Sequence, residues 1–187
     1  MEWNGISIMA TDERIVPMSS SDSNTGMIKR ELVDRIKRNQ KPELIKLFPE
    51  YNGNIENALN EISNSLKNKL PDAAFLGMGS DGHTAGIFNV NTKEEYCYCI
   101  KNSYEPYQRI TVSMNVLMNI PHVIFFITGI KKKMLTQVLS KGNKTDSTPT
   151  SFLLLNGYGQ KTIICDEKSA PSGYPPGETI IDRSSII

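Results

Sequence analysis

Cysteine and histidine are scarce in this chain: three cysteines and two histidines in 187 residues. An odd cysteine count without paired metal spacing builds no disulfide framework and fits a reducing compartment. With so few histidines and no His/Cys cluster, no structural zinc and no metal site is expected. An excess of one charge sign is missing too. A net charge of +1, with 22% charged residues, offers no field for nucleic acid or a membrane surface. The longest strongly apolar run, Val123–Ile127, falls far short of the ~20 residues a bilayer span needs. The first residues carry no basic region followed by a long apolar run, so no signal peptide is expected. The chain reads as soluble and cytoplasmic. Its length suits one domain over residues 1–187, large enough for a core.

The most informative stretch is Asp72–Phe88, DAAFLGMGSDGHTAGIF. Asp72 to Met78 is a short apolar run ending in glycine, which suits a strand buried on both faces of a parallel sheet. Gly79, Ser80, Asp81, Gly82 and His83 follow at its carboxyl end, where open α/β sheets bind their ligands. An acid and an imidazole therefore stand where chemistry is expected. Gly77, Gly79 and Gly82 also spell G-x-G-x-x-G. A dinucleotide site would need a helix opening there and an acid about 20 residues on. Glu94 and Glu95 come too early and Asp81 and His83 occupy the turn itself, so that reading is set aside. The plain alternative is a surface turn with a solvated histidine.

Along the chain, Ile6, Ile8 and Ala10 alternate in a first strand that ends at Thr11-Asp12-Glu13-Arg14, a second candidate site loop or a solvated turn. Ser19–Asn24, rich in capping residues, leads into a helix carrying Ile28, Leu32, Val33 and Ile36 on one face. Residues Gln40–Asn54, with Pro42 and Pro49, read as a connector. Ile55, Ala58, Leu59, Ile62, Leu66 and Leu70 give the clearest helical period, ended by Pro71. Strands are expected around Tyr96–Ile100, with Cys97 and Cys99 on one face, and around Arg109–Ser113. A buried strand follows at His122–Thr128, where His122 is an edge residue without chemistry.

Gly129 opens a helix whose apolar face holds Ile130, Met134, Leu135, Val138 and Leu139, with Lys131, Lys132 and Lys133 in its first turn. Cations there oppose the helix dipole, and a bound anion would reverse that penalty; three solvated lysines are the alternative. Thr148-Pro149-Thr150 starts a short helix through Leu155, and Thr162–Cys165 reads as a last strand. From about Glu167, with Pro171, Pro175 and Pro176, the chain reads as a loop-like tail. The alternation of strands and helices predicts a mostly parallel sheet with helices on both faces.

Three segments carry a family resemblance. They are Thr11–Pro17 with Asp22-Ser23-Asn24, Leu76–Ala85, and Arg109-Ile110-Thr111 through His122 to Thr128–Lys132. In order and spacing they resemble the 6-phosphogluconolactonase family, which shares a superfamily with glucosamine-6-phosphate deaminases. The resemblance implies a doubly wound, Rossmann-like α/β fold. It implies hydrolysis of a phosphorylated sugar δ-lactone, 6-phospho-D-glucono-1,5-lactone, to the open acid without metal or organic cofactor.

The residue matching the family's catalytic base is His83, with Asp81 beside it. Asp12, Arg14, Asn24, Gly79, Gly82, Arg109 and Lys132 would form the substrate and phosphate region. The physical chemistry agrees. Imidazole can deprotonate water near neutral pH, a carboxylate can orient it, and glycine-turn amides can stabilise an oxyanion. Arginine and lysine can hold the distant phosphate.

Two departures stand out. Family members usually carry a strand, a Ser-Gly-Gly-rich phosphate loop and a helix before the Asp-Glu-Arg segment, whereas this sequence begins almost at it, with Met1-Glu2-Trp3. The expectation is an N-terminally short member. After His83-Thr84-Ala85 the family commonly reads Ser-Leu-Phe-Pro, and here it is Gly86-Ile87-Phe88-Asn89. The rival readings are a glucosamine-6-phosphate deaminase-like enzyme and a non-catalytic sugar-phosphate-binding or partner module. The resemblance also implies association with, or fusion to, glucose-6-phosphate dehydrogenase.

Overall fold

The structure, a computed structural model, describes residues 3–48, 53–91, 95–101, 106–129, 148–170 and 177–182. The fold is mixed α/β. A parallel core sheet runs β4 (Ala73–Gly77), β7 (His122–Ile127), β8 (Gln160–Cys165), with β9 (Gly177–Asp182) antiparallel at its end. A second sheet orders β2 (Asp12–Arg14), β6 (Gln108–Val112), β5 (Cys97–Lys101), all antiparallel. The pair β1 (Ser7–Met9) and β3 (Glu43–Ile45) is parallel.

The antiparallel sheet departs from the expectation of one mostly parallel sheet. Only residues 102–107 separate β5 from β6, too few for the helical crossover that parallel neighbours need. Asp12–Arg14, expected as a loop, is strand β2, because β6 offers it an antiparallel partner. The proline-rich stretch expected as a loop-like tail also holds a strand, because β9 pairs with β8 from Gln160↔Asp182 to Cys165↔Gly177. The connector expected at 40–54 contains β3.

Helix α1 (Asn24–Glu31) is capped by Ser23, whose hydroxyl accepts from the Gly26 amide. It is shorter than its apolar spacing predicts; Leu32 leaves helical geometry and a single 3₁₀ turn, Val33–Arg35, continues the chain. Helix α2 (Ile55–Asn68) starts at Asn54, whose side chain accepts from the Glu56 and Asn57 amides, and buries Ala58, Ile62 and Leu66 at four-residue intervals. Helix α3 (Met114–Met118) was not foreseen from sequence; α4 (Pro149–Asn156) carries proline at its permissive first position. The expected helix from Gly129 lies outside the described residues.

One apolar cluster joins Ala58, Ile62 and Leu66 of α2, Leu117 of α3, and Leu153 and Leu154 of α4 to Leu76, Phe125, Ile127 and Ile163 of the parallel sheet. These four strand residues share one sheet face, by pairing and alternation. The opposite face does not follow the expectation of burial on both sides. Phe75, Phe126 and Ile164 are exposed there, and the rings of Phe75 and Phe126 stack 6.1 Å apart. Helices α2, α3 and α4 pack on the other side. No described helix is long and apolar enough to cross a membrane.

Candidate active site

The chain leaves β4 at Gly77 and reverses sharply. The Gly79 amide donates to the His83 carbonyl (2.8 Å), the Gly82 amide to the Gly79 carbonyl (3.1 Å), and the Thr84 hydroxyl to the Gly77 carbonyl (2.9 Å). Gly82 adopts φ +84°, a conformation that glycine takes without steric cost. Those two glycine amides are thus spent inside the turn. Their role is spatial. A Cβ at Gly79 would lie 2.1 Å from His83 Nδ1 and 2.7 Å from Asp81 Oδ1, and one at Gly82 would lie 2.6 Å from the Thr148 side chain.

The turn brings Asp81 and His83 together. His83 Nδ1 is 2.5 Å from Asp81 Oδ1, and the His83 amide donates to the same oxygen at 3.2 Å. A carboxylate facing Nδ1 selects the tautomer protonated there, leaving the Nε2 lone pair as the basic position. Partial burial raises the Asp81 carboxyl, but hydrogen bonds from the His83 ring and backbone outweigh it and hold it below its ordinary value. Asp81 therefore stays ionised at neutral pH. One side of the imidazole lies against Phe88, ring centroids 4.8 Å apart.

The second half of the site is built on the antiparallel sheet. Asp12 pairs with Thr111 and Arg14 with Arg109 across β2 and β6. Directly opposed residues point to one face, with Cβ atoms about 5 Å apart, so Asp12, Arg14, Arg109 and Thr111 share a face. Arg109 Nη1 meets Asp12 Oδ2 at 2.5 Å, and both side chains are nearly buried. Asn24 donates to the Asp12 carbonyl (2.8 Å) and to Oδ1 (3.1 Å). Arg14 donates to the Asp22 carbonyl (2.9 Å), whose carboxylate accepts from Tyr107. Arg109 is thus neutralised by Asp12, while the group that Arg14 meets is a neutral carbonyl.

Sequence reading missed the group that holds this corner. Glu13 is buried, and its carboxylate accepts from the Arg14, Asn24 and Thr25 amides and the Ser23 hydroxyl, at 2.7–3.1 Å. It sits at the start of α1, where the dipole favours an anion. The signal was present as an acid followed ten residues later by a Ser-Asn cap pair.

The two halves touch. The Gly86 amide donates to Thr111 Oγ1 (3.0 Å), and Gly86 is three residues beyond His83, within about 10 Å of chain. The Thr150 amide at the start of α4 donates to the Gly82 carbonyl (3.0 Å). Thus His83, Asp81, Gly79 and Gly82 form one turn, joined through Thr111 to the face bearing Asp12, Arg14 and Arg109, with Asn24 braced beneath Asp12. Lys132 lies outside the described residues. Among the described residues, no group of three His, Cys, Asp or Glu side chains could hold a metal ion.

Comparison with known proteins bears on what this arrangement does. A model of the family described as glucosamine-6-phosphate isomerases/6-phosphogluconolactonase matches residues 1–163. The 6-phosphogluconolactonase of Helicobacter pylori is 33% identical over 159 residues, covering 82% of this chain and 69% of that protein. The crystal structure of 6-phosphogluconolactonase from Thermotoga maritima superposes with a TM-score of 0.70 at 27% identity, covering 88% of this chain and 74% of that one. A monomeric glucosamine-6-phosphate deaminase superposes with a TM-score of 0.73 at 17% identity, covering 90% and 75%. At that identity the likeness speaks for the fold alone.

Proposed function

Because the chain belongs to the glucosamine-6-phosphate isomerase/6-phosphogluconolactonase family, we propose that it hydrolyses 6-phospho-D-glucono-1,5-lactone to 6-phosphogluconate. The observation that carries the reading is the 2.5 Å contact between His83 Nδ1 and Asp81 Oδ1, at the carboxyl end of a parallel strand. In this mechanism His83 Nε2 takes a proton from water as the water oxygen attacks the lactone carbonyl. A tetrahedral oxyanion forms, then collapses with cleavage of the ring C–O bond. The departing ring oxygen takes the proton back from the imidazolium, leaving a hydroxyl and a carboxylic acid. Asp81 orients the ring and stabilises its charged form. Arg14 and Arg109 hold the phosphate, and Lys132 joins them in the same proposal. Asp12 and Asn24 set the Arg109 side chain rather than meeting the sugar.

The free thiols of Cys97, Cys99 and Cys165 support a reducing, cytoplasmic setting. A glucose-6-phosphate dehydrogenase, associated or fused, is the proposed partner and is sought by co-purification. The deciding assay follows lactone hydrolysis by the parent and by His83→Ala, alongside ammonia release from glucosamine 6-phosphate. Hydrolysis well above the spontaneous rate, lost in the variant, supports the reading. Equal rates for parent and variant remove His83 as base, and ammonia release without hydrolysis moves the chain to the deaminase branch.

A further inference from the structure

We propose that Thr111 is a positioning residue that sets the His83 turn against the arginine-bearing face. Its hydroxyl is wholly buried and used in both senses. Oγ1 accepts from the Gly86 amide at 3.0 Å and donates to the Val112 carbonyl at 3.0 Å. The strand pairing puts Thr111 directly opposite Asp12, and strand alternation puts it on the face of Arg109, two residues away. It therefore touches both halves of the site: the turn that carries the base and the sheet that carries the cations.

The contact at Gly86 is close as well as polar. A Cβ at Gly86 would lie 2.8 Å from Thr111 Cβ and 3.1 Å from Oγ1. Gly86 is not among the residues with positive φ, so its backbone conformation is open to any residue; what glycine supplies is nearness to Thr111. The next turn residues reinforce the attachment, with the Ile87 amide donating to the Thr84 carbonyl (2.9 Å) and Ala85 held at φ 49°. A turn with a left-handed alanine is strained unless its surroundings hold it. Thr111 supplies one such hold, and through it the distance from His83 to Arg14 and Arg109 is set.

Reaction and binding then separate cleanly. Loss of the hydroxyl leaves the buried Gly86 amide without its acceptor and lets the turn drift, which weakens proton transfer more than phosphate binding. The inference rests on the lactonase reading for its kinetic arm, so a second arm reads the ring itself. Thr111→Val keeps the shape and removes the hydroxyl; Thr111→Ser keeps the hydroxyl.

With lactone as substrate, the valine variant is expected to lower kcat about tenfold with KM within about twofold, and the serine variant to restore kcat. By NMR, the valine variant is expected to speed hydrogen exchange at the Gly86 amide and to shift the His83 ring Hε1 resonance, while serine leaves both near the parent. A valine variant with parent kcat and parent ring signals overturns the proposal. So does a serine variant as impaired as valine. If the parent hydrolyses no lactone, the functional reading fails, and the ring signals alone still decide whether Thr111 holds the turn.

Discussion

Asp81 and His83 are two residues apart, a spacing that on an extended strand would put them on one face but about 7 Å apart along the chain. They meet because Gly82, at φ +84°, folds the chain back between them. Replacing Asp81 by Asn removes the charge that favours imidazolium and leaves an amide that can face Nδ1 with either end. We expect Asp81→Asn to lower kcat by about 10–100-fold with little change in KM, measured by steady-state kinetics. Since the Asp81 carboxyl lies below its ordinary value, the pairing is present above the ordinary carboxylate range and lost as pH falls through the folded value. No loss from Asp81 protonation should therefore appear above about pH 5. Gly79→Ala is the sterner test. Its Cβ would fall 2.1 Å from the ring nitrogen, so the imidazole must move, and kcat should drop by about 100-fold or more. A fully active alanine variant would mean that the ring position seen here is not the working one.

At the scale of elements, α1 and β2 are joined by a single carboxylate. Glu13 is 3% exposed and receives four hydrogen bonds from the strand, the cap and the helix start. Glu13→Gln turns one acceptor oxygen into a donor that must face amide donors, and removes a charge favoured by the helix dipole. The expected loss is about 2–4 kcal/mol of unfolding free energy, read by urea titration. Because Asp12 and Arg14 flank Glu13, kcat/KM should fall as well. The same corner shows how far local pattern reaches. Helix α2 and the strands of the parallel sheet were legible because apolar period and turn residues are local. So was the Asp81–His83 turn, since its glycines, acid and imidazole are adjacent in sequence. The opposition of Arg14 to Arg109 was not, because it depends on antiparallel pairing between strands some 95 residues apart in sequence. Nor was the Gly86–Thr111 contact, in which a turn amide meets a side chain 25 residues further along the chain. Alternation in Arg109–Ser113 marks a strand without naming its neighbours. β9 hid for a different reason: its proline-rich approach reads as loop, while an antiparallel edge strand needs little apolar signal.

At the scale of the whole molecule, stability gathers in the one cluster that ties α2, α3 and α4 to the inner face of the parallel sheet. Among the described residues, that face contains one cation. Lys161 on β8 lies opposite Val123 and is fully buried, its Nζ donating to the Tyr158 carbonyl. Burial pushes its ammonium down to about 8, against an ordinary value near 10.4. The sign follows from proton counting. Between those two values the unfolded chain binds more protons than the native one, so stability rises with pH across that window. Below about pH 8 the cost of the buried charge is present in full, at roughly 3 kcal/mol. Lys161→Met keeps an unbranched apolar stem of similar length, and the Tyr158 carbonyl, on an exposed residue, can turn to water. We therefore expect the methionine variant to be more stable than the parent at pH 7, by about 1–3 kcal/mol after the lost hydrogen bond. The advantage should shrink toward zero by pH 10.5, where the parent lysine is neutral in the fold and half-neutral in the unfolded chain. Urea unfolding of both proteins at pH 7 and pH 10.5 measures the difference, and groups that titrate alike in the two proteins cancel. An equal difference at both pH values would show that the charge of Lys161 is compensated inside the fold, and the penalty assigned to its burial would then be wrong.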